Sequence, residues 1–303
     1  MGKSKLKRHL LLVLLVVFAT WPFALLAQQQ ETANVPRYRV AVCDWMMLKR
    51  QKLGEFQLAH DIHADGVEMD MGPLGQRWTF ENRFHEPAEC EQFRRTADSL
   101  GIQVPSIAMS GFFAQNFLTR QNYMVPIADC LHTMSVFGSQ IAFLPLGGSG
   151  HSWKEIGSPD RRELVLRLHV IGEMALSERK VIAIRTALNA KENLQLLKEI
   201  KSNGIKIYYN LQDAVDQHLD PCKEMKKLGA KNIAQIHASL TDSVTLDKDS
   251  RIDLHQVKKT LDTMGWSGWL VVERSRNAQD IKNVRSNFGT NVAYLKDIFQ
   301  ENN

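Results

Sequence analysis

Arg185, Asn210, His237 and Glu273 each close a short apolar run, at intervals of 25, 27 and 36 residues. His237 and Glu273 are good ligands for a divalent metal such as Mn, Co, Mg or Zn, through a neutral imidazole and a carboxylate. Asn210 could add a carbonyl oxygen, which is a weak ligand without charge. Arg185 cannot ligate at all, and its permanent charge would repel a dication at close range. Three readings of it stay open: an ion pair with Glu273, a two-point clamp on an anionic substrate group, or a side chain that points past the site into solvent. A histidine in isolation is more often structural than a ligand, so the weight rests on the four residues converging.

Other residues extend the candidate site. Glu68 and Asp70 alternate with apolar residues in the second run and could act as general bases or bind sugar hydroxyls. Asp70 could equally cap the turn at Gly72-Pro73. Asp44-Trp45 suits a carbohydrate, because an indole face packs on a sugar ring and a carboxylate binds its hydroxyls; plain packing of Trp45 is the alternative. Phe112 and Phe113 form either a binding wall or a core plug. Residues 147–150 are Gly-Gly-Ser-Gly, which permits close backbone approach to a ligand or simply a mobile loop. They lack the Lys-Ser/Thr ending of a nucleotide loop, so no nucleotide cofactor is expected. Arg274 and Arg276 could bind anions or face water.

Eight apolar runs would have to position these residues: 39–43, 66–70, 102–108, 140–146, 181–184, 205–209, 232–236 and 269–272. They are short and rich in β-branched and aromatic residues, as strands buried on both faces should be. Helical patterns lie between them, such as Leu254, Val257, Leu261 and Met264, which stop at Gly265. Alternating strands and helices require a parallel sheet with right-handed crossovers. Eight units without a linker or low-complexity tract predict an α/β fold, a single (β/α)8 barrel over residues 38–303. Its active site belongs at the C-terminal ends of the strands.

The first 27 residues read as a cleavable signal peptide, with Lys3, Lys5, Lys7 and Arg8 ahead of an apolar run broken by Pro22. A retained membrane anchor is the alternative. Residues 28–37 read as a linker, and the expected location is periplasmic or secreted. Without those four basic residues the formal charge of +5 falls to +1. A pI near 9 therefore does not argue for nucleic acid or for an anionic membrane. No later segment is apolar and long enough to span a bilayer; a homo-oligomer is compatible with the chain. Cys43, Cys90, Cys130 and Cys222 form no CxxC pair. An exported protein could form a disulfide, with three possible pairings of which the sequence selects none, and the four read first as free thiols, Cys43 and Cys130 buried.

Several segments together resemble the sugar-phosphate isomerase/epimerase superfamily, the xylose-isomerase-like TIM barrels, in a secreted Bacteroidetes-type branch. They are Ala41-Val42-Cys43-Asp44-Trp45, Ala64-Asp65-Gly66-Val67-Glu68, Thr186-Ala187-Leu188-Asn189-Ala190, Ile207-Tyr208-Tyr209-Asn210, Gln235-Ile236-His237, and the run from Gly265 to Glu273. The resemblance implies one divalent metal held by Glu, Asp, His and Glu at the ends of strands five to eight. Those positions are Arg185, Asn210, His237 and Glu273 here, so the last two agree and the first two depart. It also implies a small carbohydrate substrate and proton abstraction next to a carbonyl, giving an enediolate that leads to isomerisation, epimerisation or elimination from a 3-keto-glycoside. The alternative it leaves is a sugar-binding pseudoenzyme in which Arg185 fills the metal site.

Overall fold

The computed structural model describes residues 36–147 and 152–300. The expected signal peptide, the linker up to residue 35 and loop residues 148–151 lie outside them. Eight parallel strands close a single barrel in sequence order. They are β1 (Tyr38–Cys43), β2 (Gly66–Asp70), β3 (Ser106–Ala108), β4 (Ile141–Pro145), β5 (Val181–Arg185), β6 (Ile205–Asn210), β7 (Ile233–His237) and β8 (Gly268–Val272). Closure is made by β1 against β8, in register from Tyr38 opposite Gly268 to Val42 opposite Val272.

Helices between the strands cover the outside: α1 (Asp44–Met47), α2 (Gly54–Asp61), α3 (Pro87–Ser99), α4 (Met124–Phe137) and α5 (Pro159–Ser177) in the first half. The second half has α6 (Ala190–Ile200), α7 (Leu211–Asp216), α8 (Pro221–Leu228), α9 (Leu254–Met264) and α10 (Val284–Gln300). Gly265 ends α9 with φ +69°, a left-handed cap that suits glycine. The chain passes close to itself at Gly172 in α5 and Gly204 before β6, where a Cβ on Gly204 would lie 2.0 Å from the Gly172 carbonyl oxygen.

One expectation fails. The third strand is only three residues long, not seven, because Pro105 has no N–H to give the ladder. Gln103 keeps an isolated bridge to Gly66.

Strand alternation explains how the site is built. Ala41, Cys43, Ala108, Phe143, Ala183, Tyr208 and Val271 point into the barrel and pack on one another. Val40, Val42, Val67, Met69, Ile182, Ile184, Ile207, Leu270 and Val272 belong to the larger core under the helices. A strand repeats every two residues, so the inward set continues to Arg185 after Ala183, to Asn210 after Tyr208 and to Glu273 after Val271. All four cysteines are free, and Cys43, Cys90 and Cys130 are buried.

Candidate active site

The lumen below the barrel mouth is polar, and Glu68 is its hub. Glu68 is fully buried. Its Oε2 accepts from the hydroxyls of Ser106 at 2.6 Å and Tyr208 at 2.9 Å, and from Gln235 Nε2 at 3.4 Å. Its Oε1 lies 3.1 Å from His237 Nε2. Gln235 Nε2 also donates to Ser106 Oγ and to Tyr208 OH, at 2.7 and 2.9 Å. Each hydroxyl thus accepts from the amide and donates to the carboxylate. Burial first, and the Glu68 charge second, hold the Tyr208 phenol well above its ordinary pKa, so it remains a donor.

This network fixes the imidazole. Asn210 is the N-cap of α7, where its Oδ1 accepts from the backbone N–H groups of Gln212 (2.9 Å) and Asp213 (3.4 Å). Its Nδ2 therefore faces His237 Nδ1, 3.4 Å away, as a donor. His237 accepts at Nδ1 and donates from Nε2 to Glu68, a tautomer assigned from the surrounding hydrogen bonds.

At the mouth, Glu273 Oε2 lies 3.7 Å from His237 Nδ1 and 3.6 Å from Arg185 Nη1. Arg185 clamps Asp213 through Nε at 2.9 Å and Nη2 at 2.6 Å. Burial works against that guanidinium's charge. The hydrogen bonds and charge of Asp213, then the charge of Glu273, more than offset it and leave the pKa raised. A cleft of about 610 Å³ opens here, lined among others by Trp45, Arg50, Phe113, Arg185, Glu273 and Arg274. Trp45 stacks on Phe143, with centroids 6.2 Å apart and planes 9° apart, and sets an edge against His237. The two aromatics left open between wall and plug divide: Phe112 is buried in the core, and Phe113 lines the cleft.

Several residues expected at the ligand lie beneath it. Glu68 has donors on both oxygens and no exposure, so it positions His237 instead of serving as a base. Asp70 is buried and held by Arg50, by Ser110 N at 3.0 Å and by Ser110 Oγ at 2.8 Å, so it carries the cleft wall and does not cap the Gly72-Pro73 turn. Asp44 is equally buried and accepts from the N–H groups of Gln51 and Asp70, at 3.2 and 3.1 Å, out of reach of a sugar.

The metal implied by the resemblance does not fit these donors. Asn210 spends its carbonyl on the α7 cap and presents an NH₂ group. Arg185 puts a guanidinium beside Glu273. The one lone pair of His237 Nδ1 already accepts from Asn210 Nδ2, which leaves Glu273 as the lone-pair donor facing the gap, and among the described residues no group of three or more His, Cys, Asp or Glu could hold a metal ion.

Sequence reading missed Asp213, Arg50 and Glu55. Asp213 had a signal: it lies one helical turn past a capping Asn210, which aims it back at the preceding strand end. Arg50 had none, since Lys49, Arg50 and Gln51 all take positive φ (66°, 69° and 49°) without a glycine. Such strain persists only where the surroundings fix it. Here Gln51 is tied by its N–H to Asp44, by Nε2 to the Asp70 carbonyl at 2.8 Å, and by Oε1 to Arg83 N at 2.9 Å.

Glu55, in the first turn of α2, is buried with no hydrogen-bond partner on either oxygen. Burial, and then the charge of Asp44, push its pKa up to about 10. The folded chain therefore holds this proton while an unfolded glutamate, near 4.5, loses it. Stability from this group is intact below pH 4.5 and falls as pH rises towards 10, with a limiting slope of about 1.4 kcal/mol per pH unit. Glu55→Gln should remove that dependence. We expect wild type to lose about 4 kcal/mol more than the variant between pH 5 and pH 8 in urea titrations. Parallel curves would mean that Glu55 ionises freely in the fold.

Comparison with known proteins agrees with this architecture. The model of the family described as xylose isomerase-like TIM barrel matches residues 56–298. A xylose isomerase domain protein from Planctomyces limnophilus superposes with a TM-score of 0.65 at 16% identity, covering 87% of this chain and 99% of its own. D-psicose 3-epimerase from Clostridium cellulolyticum H10, solved with D-tagatose, gives 0.69 at 11% identity over 86% and 99%. The 3-keto-D-glucoside 4-epimerase of E. coli gives 0.64 at 12% over 86% and 99%. At such identities the likeness is one of fold. No curated protein matches the sequence. The chain belongs to the xylose isomerase-like TIM barrel family.

Proposed function

We propose that the chain is a carbohydrate-active enzyme of the isomerase/epimerase type that moves a proton next to a sugar carbonyl, with Arg185 in the place of a divalent metal. The carrying observation is the pairing of Arg185 and Glu273 at the cleft. Arg185 commits Nε and Nη2 to Asp213 and leaves Nη1 beside Glu273. Nη1–H groups would donate to a substrate carbonyl oxygen, and the Glu273 carboxylate would take the proton from the adjacent carbon. The electron pair moves to the oxygen as an enediolate, which the guanidinium stabilises by charge and hydrogen bonds. Return of the proton to the former carbonyl carbon, with the hydroxyl proton passing to the former carbonyl oxygen, gives isomerisation; delivery of a proton from solvent to the other face gives epimerisation; and loss of a protonated β-oxygen from a 3-keto-glycoside gives elimination. Trp45 would carry the sugar ring. We extend the proposal to an exported protein, supported by the basic and apolar start of the chain.

The second reading, a sugar-binding pseudoenzyme, is favoured by the same ion pair if it never opens. Chelator-treated protein incubated in D₂O with keto-sugars and 3-keto-glucosides separates the two. The enzyme reading predicts deuterium at the carbon next to the carbonyl, reduced about 100-fold or more in Glu273→Gln. Sugar binding without exchange would favour the pseudoenzyme.

A further inference from the structure

We propose that the cleft takes a sugar acid and that Arg274 holds its carboxylate, an inference that rests on reading the cleft as a carbohydrate site. Three arginines line it: Arg50, Arg185 and Arg274. Two are already neutralised. Arg50 lies on the buried Asp70, and Arg185 lies on Asp213 and beside Glu273.

Arg274 differs. It is partly buried, its backbone N–H bonds Ser239 and its carbonyl accepts from Asn291. Its guanidinium has no hydrogen-bond or ion-pair partner among the described residues. Asp242 feels its charge. That carboxylate, however, is taken by Arg276, through its backbone N–H at 3.0 Å and its Nε at 3.1 Å. Among the described residues the cleft therefore contains one cation without a partner, partly withdrawn from water, with five donors unused.

The charge count selects the ligand. A single guanidinium presents a planar fork that matches the two oxygens of a singly charged carboxylate. A phosphate monoester brings close to two charges, and the other two arginines have none to spare for it. A hexuronic acid satisfies both features of the cleft, with its ring on Trp45 and its carboxylate on Arg274.

The test is an NMR titration of the full chain with glucose, galactose and mannose, each beside its uronate and its 6-phosphate. We expect at least one uronate to bind about tenfold tighter than its neutral parent, as one charge-assisted contact implies. Salt should shrink that advantage, and Arg274→Gln should abolish it, so that uronate and parent bind the variant alike. Equal affinity for uronate and parent would overturn the sugar acid and leave the carbohydrate reading standing. A 6-phosphate that binds tightest would overturn the carboxylate assignment. Absence of saturable binding across the panel would sink the carbohydrate reading and this inference together.

Discussion

Glu68→Ala is expected to cost about 4 kcal/mol of stability, although Glu68 touches no ligand. The substitution strips the acceptor from Ser106 Oγ, Tyr208 OH and His237 Nε2, all buried, and leaves a void among the lumen side chains. Each stranded donor costs roughly 1–3 kcal/mol, and partial relaxation keeps the total below their sum. Glu68→Gln keeps the volume but points an NH₂ group at one set of donors. It should lose less, and its His237 ring should turn. Chemical denaturation measures the first effect. A loss under about 1 kcal/mol would mean that water or a rearranged Gln235 replaces the carboxylate, and the hub would not be one.

The barrel was legible because buried parallel strands carry dense apolar runs and the segments between them carry a helical period. Local chemistry set the exception, where Pro105 shortened the third strand. The site was legible by parity. Arg185, Asn210, His237 and Glu273 fall two residues beyond inward-facing Ala183, Tyr208, Gln235 and Val271, so reading strand ends found them together.

Polar residues that look inward one layer deeper were hidden. Tyr208 and Gln235 sit inside apolar runs, and nothing local shows that Glu68 is the acceptor between them. The direction of an amide was equally hidden. Asn210 reads as a weak metal ligand until the N-cap of α7 is seen to take its carbonyl. Arg50 depends on three consecutive left-handed residues that no glycine announces.

Arg185→Glu should convert the cleft into a cation site. The substitution removes the guanidinium from between Asp213 and Glu273 and puts a third carboxylate near them. His237 Nδ1 borders that gap, 3.7 Å from Glu273, and a bound ion would displace the Asn210 amide from it. Its tautomer is set by Glu68 through Nε2, the outer-shell arrangement that orients histidine ligands. Without metal, the variant should be less stable than wild type by about 3 kcal/mol, since the buried Glu273 and the partly buried Asp213 lose their counter-ion to a like charge. Mn²⁺ or Co²⁺ should restore it, because an ion bound only by the folded state stabilises in proportion to the logarithm of its concentration over Kd. Proton exchange on a keto-sugar should fall in the metal-free variant if Arg185 donates to the substrate oxygen. A Tm that ignores both ions would show that the arginine does not stand where a metal would.

The most direct measurement is calorimetric titration of Mn²⁺ and Co²⁺ into chelator-stripped wild type, Arg185→Glu and Arg185→Glu/His237→Ala. Replacement of the metal by Arg185 predicts no saturable binding to wild type, binding to the single variant, and its loss in the double variant. Micromolar binding to wild type that His237→Ala abolishes would contradict it and return the site to metal chemistry.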